Sequence, residues 1–231
     1  MRIGVITDVH NNVIALQTML EHFKNCKVDC ICCCGDIIGI GPFPDEIVQD
    51  MMKIDNLYCV YGNHEEYFMK KNYEMMRQEE AMFHKWEHER LSNVSQQWIY
   101  HLPKRMDLEL NGIRCSIMHY GYENGFKPML QNPNGEQLEQ LFSNCDSQIV
   151  LYGHMHSPSV VKHNERWFVN VGSLGCPQDS KNIARGGVVT IEDVISVELV
   201  EIPYDINQVL NHMEKVNCPA IGTIQSIFYG R

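Results

Sequence analysis

Short apolar runs and polar turns follow one another along this chain in a regular order. Arg2 to Thr7, Asp29 to Cys34 and Leu57 to Tyr61 are rich in Ile, Val and Cys and read as buried strands. Each opens into polar residues: Asp8-Val9-His10-Asn11-Asn12, then Gly35-Asp36, then Gly62-Asn63-His64-Glu65. After the first turn, Val13, Leu16, Leu20 and Phe23 follow helical spacing, with Asn12 as N-cap. Pro42-Phe43-Pro44-Asp45 leads into a second helix near Glu46 to Lys53. Strand, helix and strand in this order predict a parallel α/β sheet.

The pattern changes over Glu65 to His101, where Met, Glu, Lys and aromatic residues predict two or three helices, a helical insert near residues 66–101. Its aromatic stripe, including Phe83, Trp86 and Trp98, reads as core packing or a lid against the sheet. Asn111-Gly112 marks a tight hairpin whose second strand runs to Met118 and delivers His119. Tyr122 to Asn134 is loop-like, Glu136 to Phe142 helical, and the strand Gln148 to Tyr152 delivers Gly153-His154-Met155-His156. Strands are expected at Val160 to Lys162, Trp167 to Val171, Val188 to Ile191 and Val197 to Ile202. A helix over Ile206 to Val216 follows, and then a tail with no assigned role. Without repeats, low-complexity stretches or a linker, residues 1–231 are read as one domain.

Composition narrows the function classes. The chain has 231 residues, 44% of them apolar and 21% charged, enough for a sizeable core. A net charge of -10 argues against general binding to nucleic-acid backbone. No run approaches the roughly 20 apolar residues needed to span a bilayer, and the first residues do not resemble a secretory signal. A cytoplasmic protein with no membrane partner is expected. Of the 10 cysteines, four crowd together as Cys30, Cys32, Cys33 and Cys34. A disulfide framework does not suit a chain without a secretory signal. Neighbours on a strand face opposite sides, so the four cannot converge on one zinc, and they are read as small buried hydrophobes.

Five polar motifs share one placement, just beyond a strand: Asp8-Val9-His10, Gly35-Asp36, Gly62-Asn63-His64, His119 and His154-Met155-His156. In open α/β sheets, ligand sites form outside the carboxyl ends of strands. Imidazole with carboxylate suits Zn, Mn, Fe or Ni. Asp8/His10 and His154/His156 place alternate residues on one side of an extended segment. So many groups exceed the needs of one tetrahedral ion and suit two ions about 3.5–4 Å apart that share a carboxylate, for which Asp36 is the candidate. His22, His84, His88, His101, His163 and His212 lack such motifs and are read as surface or hydrogen-bonded residues.

In this order, Asp-x-His, Gly-Asp-x-x-Gly, Gly-Asn-His-Glu, His and Gly-His-x-His resemble the calcineurin-like metallophosphoesterase superfamily. Gly-Asp-Ile-Ile-Gly-Ile-Gly-Pro-Phe-Pro and Asn170-Val171-Gly172-Ser173-Leu174-Gly175 are similar to its small prokaryotic phosphoesterase branch. The resemblance implies a four-layer αββα sandwich, two mixed β-sheets flanked by helices. It implies that Asp8, His10 and His156 hold one metal, Asn63, His119 and His154 the other, and that Asp36 bridges them. His64 would be the general acid, and Gly172 and Ser173 would shape a nearby loop. Asn11, Ile40 and Glu65 stand where the branch usually has Gly, Tyr and Asp, which bears on substrate preference. Ile38-Gly39-Ile40 replaces the Asp-Arg pair of the serine/threonine protein phosphatases.

The implied function is a dinuclear-metal phosphoesterase, with manganese first and Fe, Ni or Zn as alternatives. It would act on small phosphate esters, phosphodiesters foremost, through a metal-bridging hydroxide. A protein or nucleotide phosphomonoesterase is the alternative within the class. A non-catalytic module on the same scaffold, as in the retromer subunit that resembles these enzymes, is the alternative outside it.

Overall fold

The computed structural model describes residues 1–230 apart from 72, 75, 177 and 179–181. Two five-stranded sheets lie face to face. In the first, β1 (Arg2–Ile6), β2 (Cys30–Cys33) and β3 (Leu57–Cys59) run parallel, joined by α1 (Val13–Cys26) and α2 (Pro44–Met51). Three helices then follow: α3 (Asn63–Lys70), α4 (Gln78–His88) and α5 (Asn93–Tyr100). The second sheet contains the hairpin β4 (Arg105–Leu110) and β5 (Ile113–Met118), then β6 (Ile149–Leu151), β8 (Arg166–Asn170) and β7 (Ser159–His163) across the sheet. β5, β6 and β8 are parallel, and α6 (Gly135–Leu141) connects the first two. The chain returns to the first sheet through β9 (Ile183–Ile191) and β10 (Ile195–Pro203), which add antiparallel beside β1. It ends in α7 (Ile206–Lys215), α8 (Ile221–Ile224) and a π-helical turn, Gln225–Tyr229.

Side-chain alternation sorts the layers. Ile3, Val5, Cys30, Cys32 and Cys34 point into the seam between the sheets, against Cys115, Ile117, Ile149 and Leu151 of the second sheet. Ile6, Ile31 and Cys33 take the opposite face and pack beneath α1, α2 and α7. On the far side, Leu138, Leu141 and Phe142 from α6 and the residue after it cover Val150, Tyr152 and Phe168. The result is helices, sheet, sheet and helix, as the resemblance implies. The cysteine run is divided between two faces, and all 10 thiols are free. Burial pushes the thiols of Cys34 and Cys59 well up, as suits packing residues.

β9 begins at Ile183, ahead of the strand expected from Val188, because Arg185-Gly186-Gly187 interrupts the apolar pattern without interrupting the ladder. The expected tail is structured too: Ile224 and Tyr229 are buried in the same core as α1.

Parallel direction gives the fold its functional edge. The carboxyl ends of β1, β2 and β3 open together on one sheet, and those of β5 and β6 on the other. The turns after β2 and β3 also touch. Gly35, at φ +92°, has no room for a Cβ, which would lie 2.6 Å from the Gly62 nitrogen. Gly112, at φ +78° in the β4–β5 hairpin, has nothing within 4 Å. Gly112→Ala should therefore cost only the left-handed backbone penalty, about 1–2 kcal/mol. Gly35→Ala should cost clearly more in urea unfolding, because backbone must move as well; equal losses would show that the two turns do not constrain each other.

Candidate metal centre

The turn after β1 carries Asp8 and His10, and the turn after β2 carries Asp36. α3 starts at Asn63, followed by His64. His119 follows β5, and His154 and His156 lie beyond β6. Asp8, His10, Asp36, Asn63, His119 and His156 are buried, and all the expected positions meet at the edge where the two sheets face each other. Asp8, His10 and His156 bring one ligand atom each within 4.8 Å of one another, and so do Asp36, His119 and His154. A further group, His10, Asp36 and His64, joins the two.

Backbone strain is concentrated here. Asp8 (φ 51°), His10 (50°), Asp36 (52°), His154 (74°) and His156 (54°) all adopt the left-handed conformation that non-glycine residues avoid. Each such residue costs on the order of 1 kcal/mol and persists where its surroundings over-determine it. They do so by hydrogen bonds between turns. Asp8 N donates to Gly35 O at 3.0 Å, His10 N to Asp36 O at 3.0 Å, and Gly175 N to Asp8 O at 3.1 Å. The His154 amide reaches the Asp8 carboxylate at 3.0 Å, and the His64 amide reaches Asp36 Oδ1 at 2.9 Å. Ser173 donates its hydroxyl to Asp8 O at 2.8 Å, so Gly172 and Ser173 belong to this supporting loop.

The ring tautomers follow from these contacts. His10 Nδ1 faces Ile38 O (3.2 Å), His119 Nδ1 faces Cys34 O (2.8 Å) and His156 Nδ1 faces Cys176 O (2.7 Å). A carbonyl only accepts, so each Nδ1 carries hydrogen and each Nε2 is left to face the cleft. His10 Nε2 and His156 Nε2 are 3.0 Å apart, and Asp8 Oδ1 lies 3.4 Å from the latter. With both rings neutral, two lone pairs and a carboxylate oxygen converge, and a shared proton or a cation has to lie among them. Histidines tied to backbone carbonyls through their second nitrogen are the usual arrangement at metals. The residues present therefore fit divalent metal binding.

The electrostatics favour the neutral ring at His10 and His154 and the charged ring at His119. Burial, with His156 and His64 nearby, holds His10 well below the usual imidazole range. Burial and His119 bring His154 down to about 4. Burial opposes charge on His119, yet Asp36 at 3.2 Å lifts it to about 9. Asp36 stays ionised despite its burial because His119 and His64 surround it.

Three residues outside the expected ligand set, Glu65, Glu87 and His84, support the site. Glu65 is turned inward: its carboxylate accepts the amides of Asp36 (2.9 Å), Ile37 (2.7 Å), Ile38 (2.9 Å) and Gly62 (2.7 Å). Burial and the charge of Asp36 push Glu65 up to about 7, while those amides favour its ionised form. Glu87 of α4 accepts from the Gly39 amide and from Asn11 Nδ2, both at 2.6 Å, and contacts His84 Nδ1 at 3.3 Å. His84 is buried, with its ring centroid 5.4 Å from that of His64. The spacing His84-x-x-Glu87 marks a helical pair in the sequence, but nothing local names the loop it meets. Glu65→Gln should leave about two of the four amides facing an NH₂ group, at a cost of about 2–4 kcal/mol. Urea denaturation measures it; a loss below about 1 kcal/mol would mean that the turn does not depend on the carboxylate.

Comparison with known proteins bears on the fold and the family. An uncharacterized protein of Methanocaldococcus jannaschii is 26% identical over 99% of this chain and 98% of its own length. The crystal structure of a metallophosphoesterase from Sphaerobacter thermophilus shares the fold with TM-score 0.79, at 23% identity over 98% of both chains. A hypothetical protein of Pyrococcus horikoshii does so with TM-score 0.87, at 18% identity over 100% of this chain and 98% of that one. Residues 1–193 match the calcineurin-like phosphoesterase superfamily domain, and with the His/Asp clusters on the expected strand ends the chain belongs to that superfamily.

Proposed function

We propose that this protein is a dinuclear-metal-dependent hydrolase of small phosphate esters, acting foremost on phosphodiesters. The observation that carries the reading is the convergence of His10 Nε2, His156 Nε2 and Asp8 Oδ1 without a donor of their own to separate them. In this reading Asp8, His10 and His156 hold one cation, Asn63, His119 and His154 a second, and Asp36 lies between both sets. The donor set of imidazole, carboxylate and one amide oxygen suits manganese first, and also Fe, Ni or Zn. Two such cations supply positive charge against phosphate oxygens and make water more acidic.

The chain's own groups do the rest. Inter-turn hydrogen bonds hold the ligand atoms in place before anything binds, so little reorganisation is needed. Asp36 accepts from the His64 amide, which fixes the start of α3 against the centre. The His64 ring lies edge-on to His10 with centroids 5.0 Å apart, and its Nδ1 has no hydrogen-bond partner among the described residues. Gly39 makes room for it: a Cβ there would lie 2.2 Å from that nitrogen. In this reading His64 gives a proton to the leaving oxygen as the P–O bond breaks and water's oxygen joins phosphorus. A cavity of about 190 Å³ lined by Asp36, Asn63, His64, His154 and His156 holds the phosphate in this reading.

Asp36→Ala should lose bound metal and activity together, as elemental analysis and ester turnover will record. Full metal content in that variant would end the bridging assignment. His64→Ala should keep its metal and lose about 10²–10⁴-fold in turnover of esters with poor leaving groups. Loss of metal instead would make His64 a ligand, which its grouping with His10 and Asp36 also allows. Bis-p-nitrophenyl phosphate should be hydrolysed in preference to p-nitrophenyl phosphate; the reverse preference would point to a phosphomonoesterase.

A further inference from the structure

Next to the phosphate-sized cleft is a second cavity of about 380 Å³. The two share three walls, Ile40, His64 and Phe228. Beyond these, Phe83 of α4 and Ile224 and Ile227 of the C-terminal segment give the second cavity an apolar lining. Its two sides are joined where Thr223 donates its hydroxyl to Glu79 Oε2 at 2.7 Å. Charged residues reach it as one cation, Arg77, against two carboxylates, Glu79 and Glu80.

We propose that this cavity holds the alcohol portion of the substrate, and that this portion is uncharged and apolar, up to about the size of a bicyclic aromatic. The proposal rests on the phosphoesterase reading and specifies its substrate class. Direction comes first. If His64 protonates the leaving oxygen, the carbon attached to that oxygen extends past the His64 ring, and that ring is a wall common to both cavities.

Size and chemistry come next. An apolar cavity of about 150 Å³ accepts benzene, so this one has room for a group more than twice as large. It also falls within the range of about 300–1,000 Å³ usual for small-molecule sites. The balance of one Arg against two Glu gives a second anionic group no net attraction, which disfavours a polyphosphate or an acidic alcohol. Ile227 is 46% exposed on this wall, an apolar side chain left to solvent beside a reaction site. The superfamily match ends at residue 193, so Ile224, Ile227 and Phe228 lie outside the part of the chain that carries the shared motifs.

The test uses the full-length, metal-loaded protein, its Ile227→Asp variant, which makes the wall polar, and its Ile227→Trp variant, which fills the space. One readout is binding of 2-naphthylmethanol itself, by calorimetry. The other is the ratio of kcat/KM for methyl 2-naphthylmethyl phosphate over ethyl methyl phosphate, whose leaving alkoxides are of similar basicity. Wild type should bind the alcohol, both variants should bind it about tenfold more weakly or worse, and the ratio should fall by at least about tenfold in both. Equal alcohol binding by wild type and both variants, or no binding by wild type, overturns the assignment, and so does an unchanged ratio. If the alcohol binds as expected but neither ester is hydrolysed, the phosphoesterase reading fails, and the leaving-group role of the cavity with it.

Discussion

One buried carboxylate holds the working edge of this protein together. Glu65 receives four backbone amides, three from the turn after β2 and one from the turn after β3. Those amides would otherwise be orphaned donors in the interior, where each unsatisfied group costs about 1–3 kcal/mol. Satisfying them closes the two turns on each other, at the contact where Gly35 admits no side chain. Asp36 sits at the centre of that contact in a left-handed conformation, and His64 lies in the first turn of the helix that Glu65 caps. The positions of the bridging candidate and the proton donor therefore depend on a residue that touches neither substrate nor metal in the proposed reaction.

The second sheet reaches the same point through backbone carbonyls. Cys34 O orients His119 across the seam between the sheets, and Cys176 O orients His156. Cys34 thus contributes twice: its side chain packs in the seam and its carbonyl selects a histidine tautomer. A centre built in this way is rigid before it is loaded, at the expense of five left-handed non-glycine residues. Strain of this kind is retained where function needs a fixed geometry.

Around this centre, α4 and the C-terminal helices add what the motifs do not contain. Glu87 ties α4 to the Gly39 amide and to Asn11, so the residue that departs from the branch pattern after β1 is matched by a partner in the insert. The same helix supplies Phe83 to the apolar cavity, and the π-helical turn supplies Ile227 and Phe228. Among the described residues no helix is long and apolar enough to cross a membrane. The apolar side chains of these helices are used for packing and for cavity walls.

By itself the sequence determined the order of strands and helices and the polar motif at each strand end. These are local: a β-prone run followed by Gly-Asp or Gly-Asn-His can be read without knowing what lies opposite. It also determined that the cysteine run would divide between two faces, since side chains alternate along a strand. Only the tertiary structure decided that Glu65 and Asn11 support the turns. The partners of Glu65 in the turn after β2 lie 27 to 29 positions away along the chain, and Glu87 lies 76 from Asn11; both are reached through packing. The same holds for His84 beside His64, and for a C-terminal segment too short and irregular to show periodicity. Motif chemistry is written into short stretches of chain, whereas the walls of the site are made by elements that meet only once both sheets and their covering helices are in place.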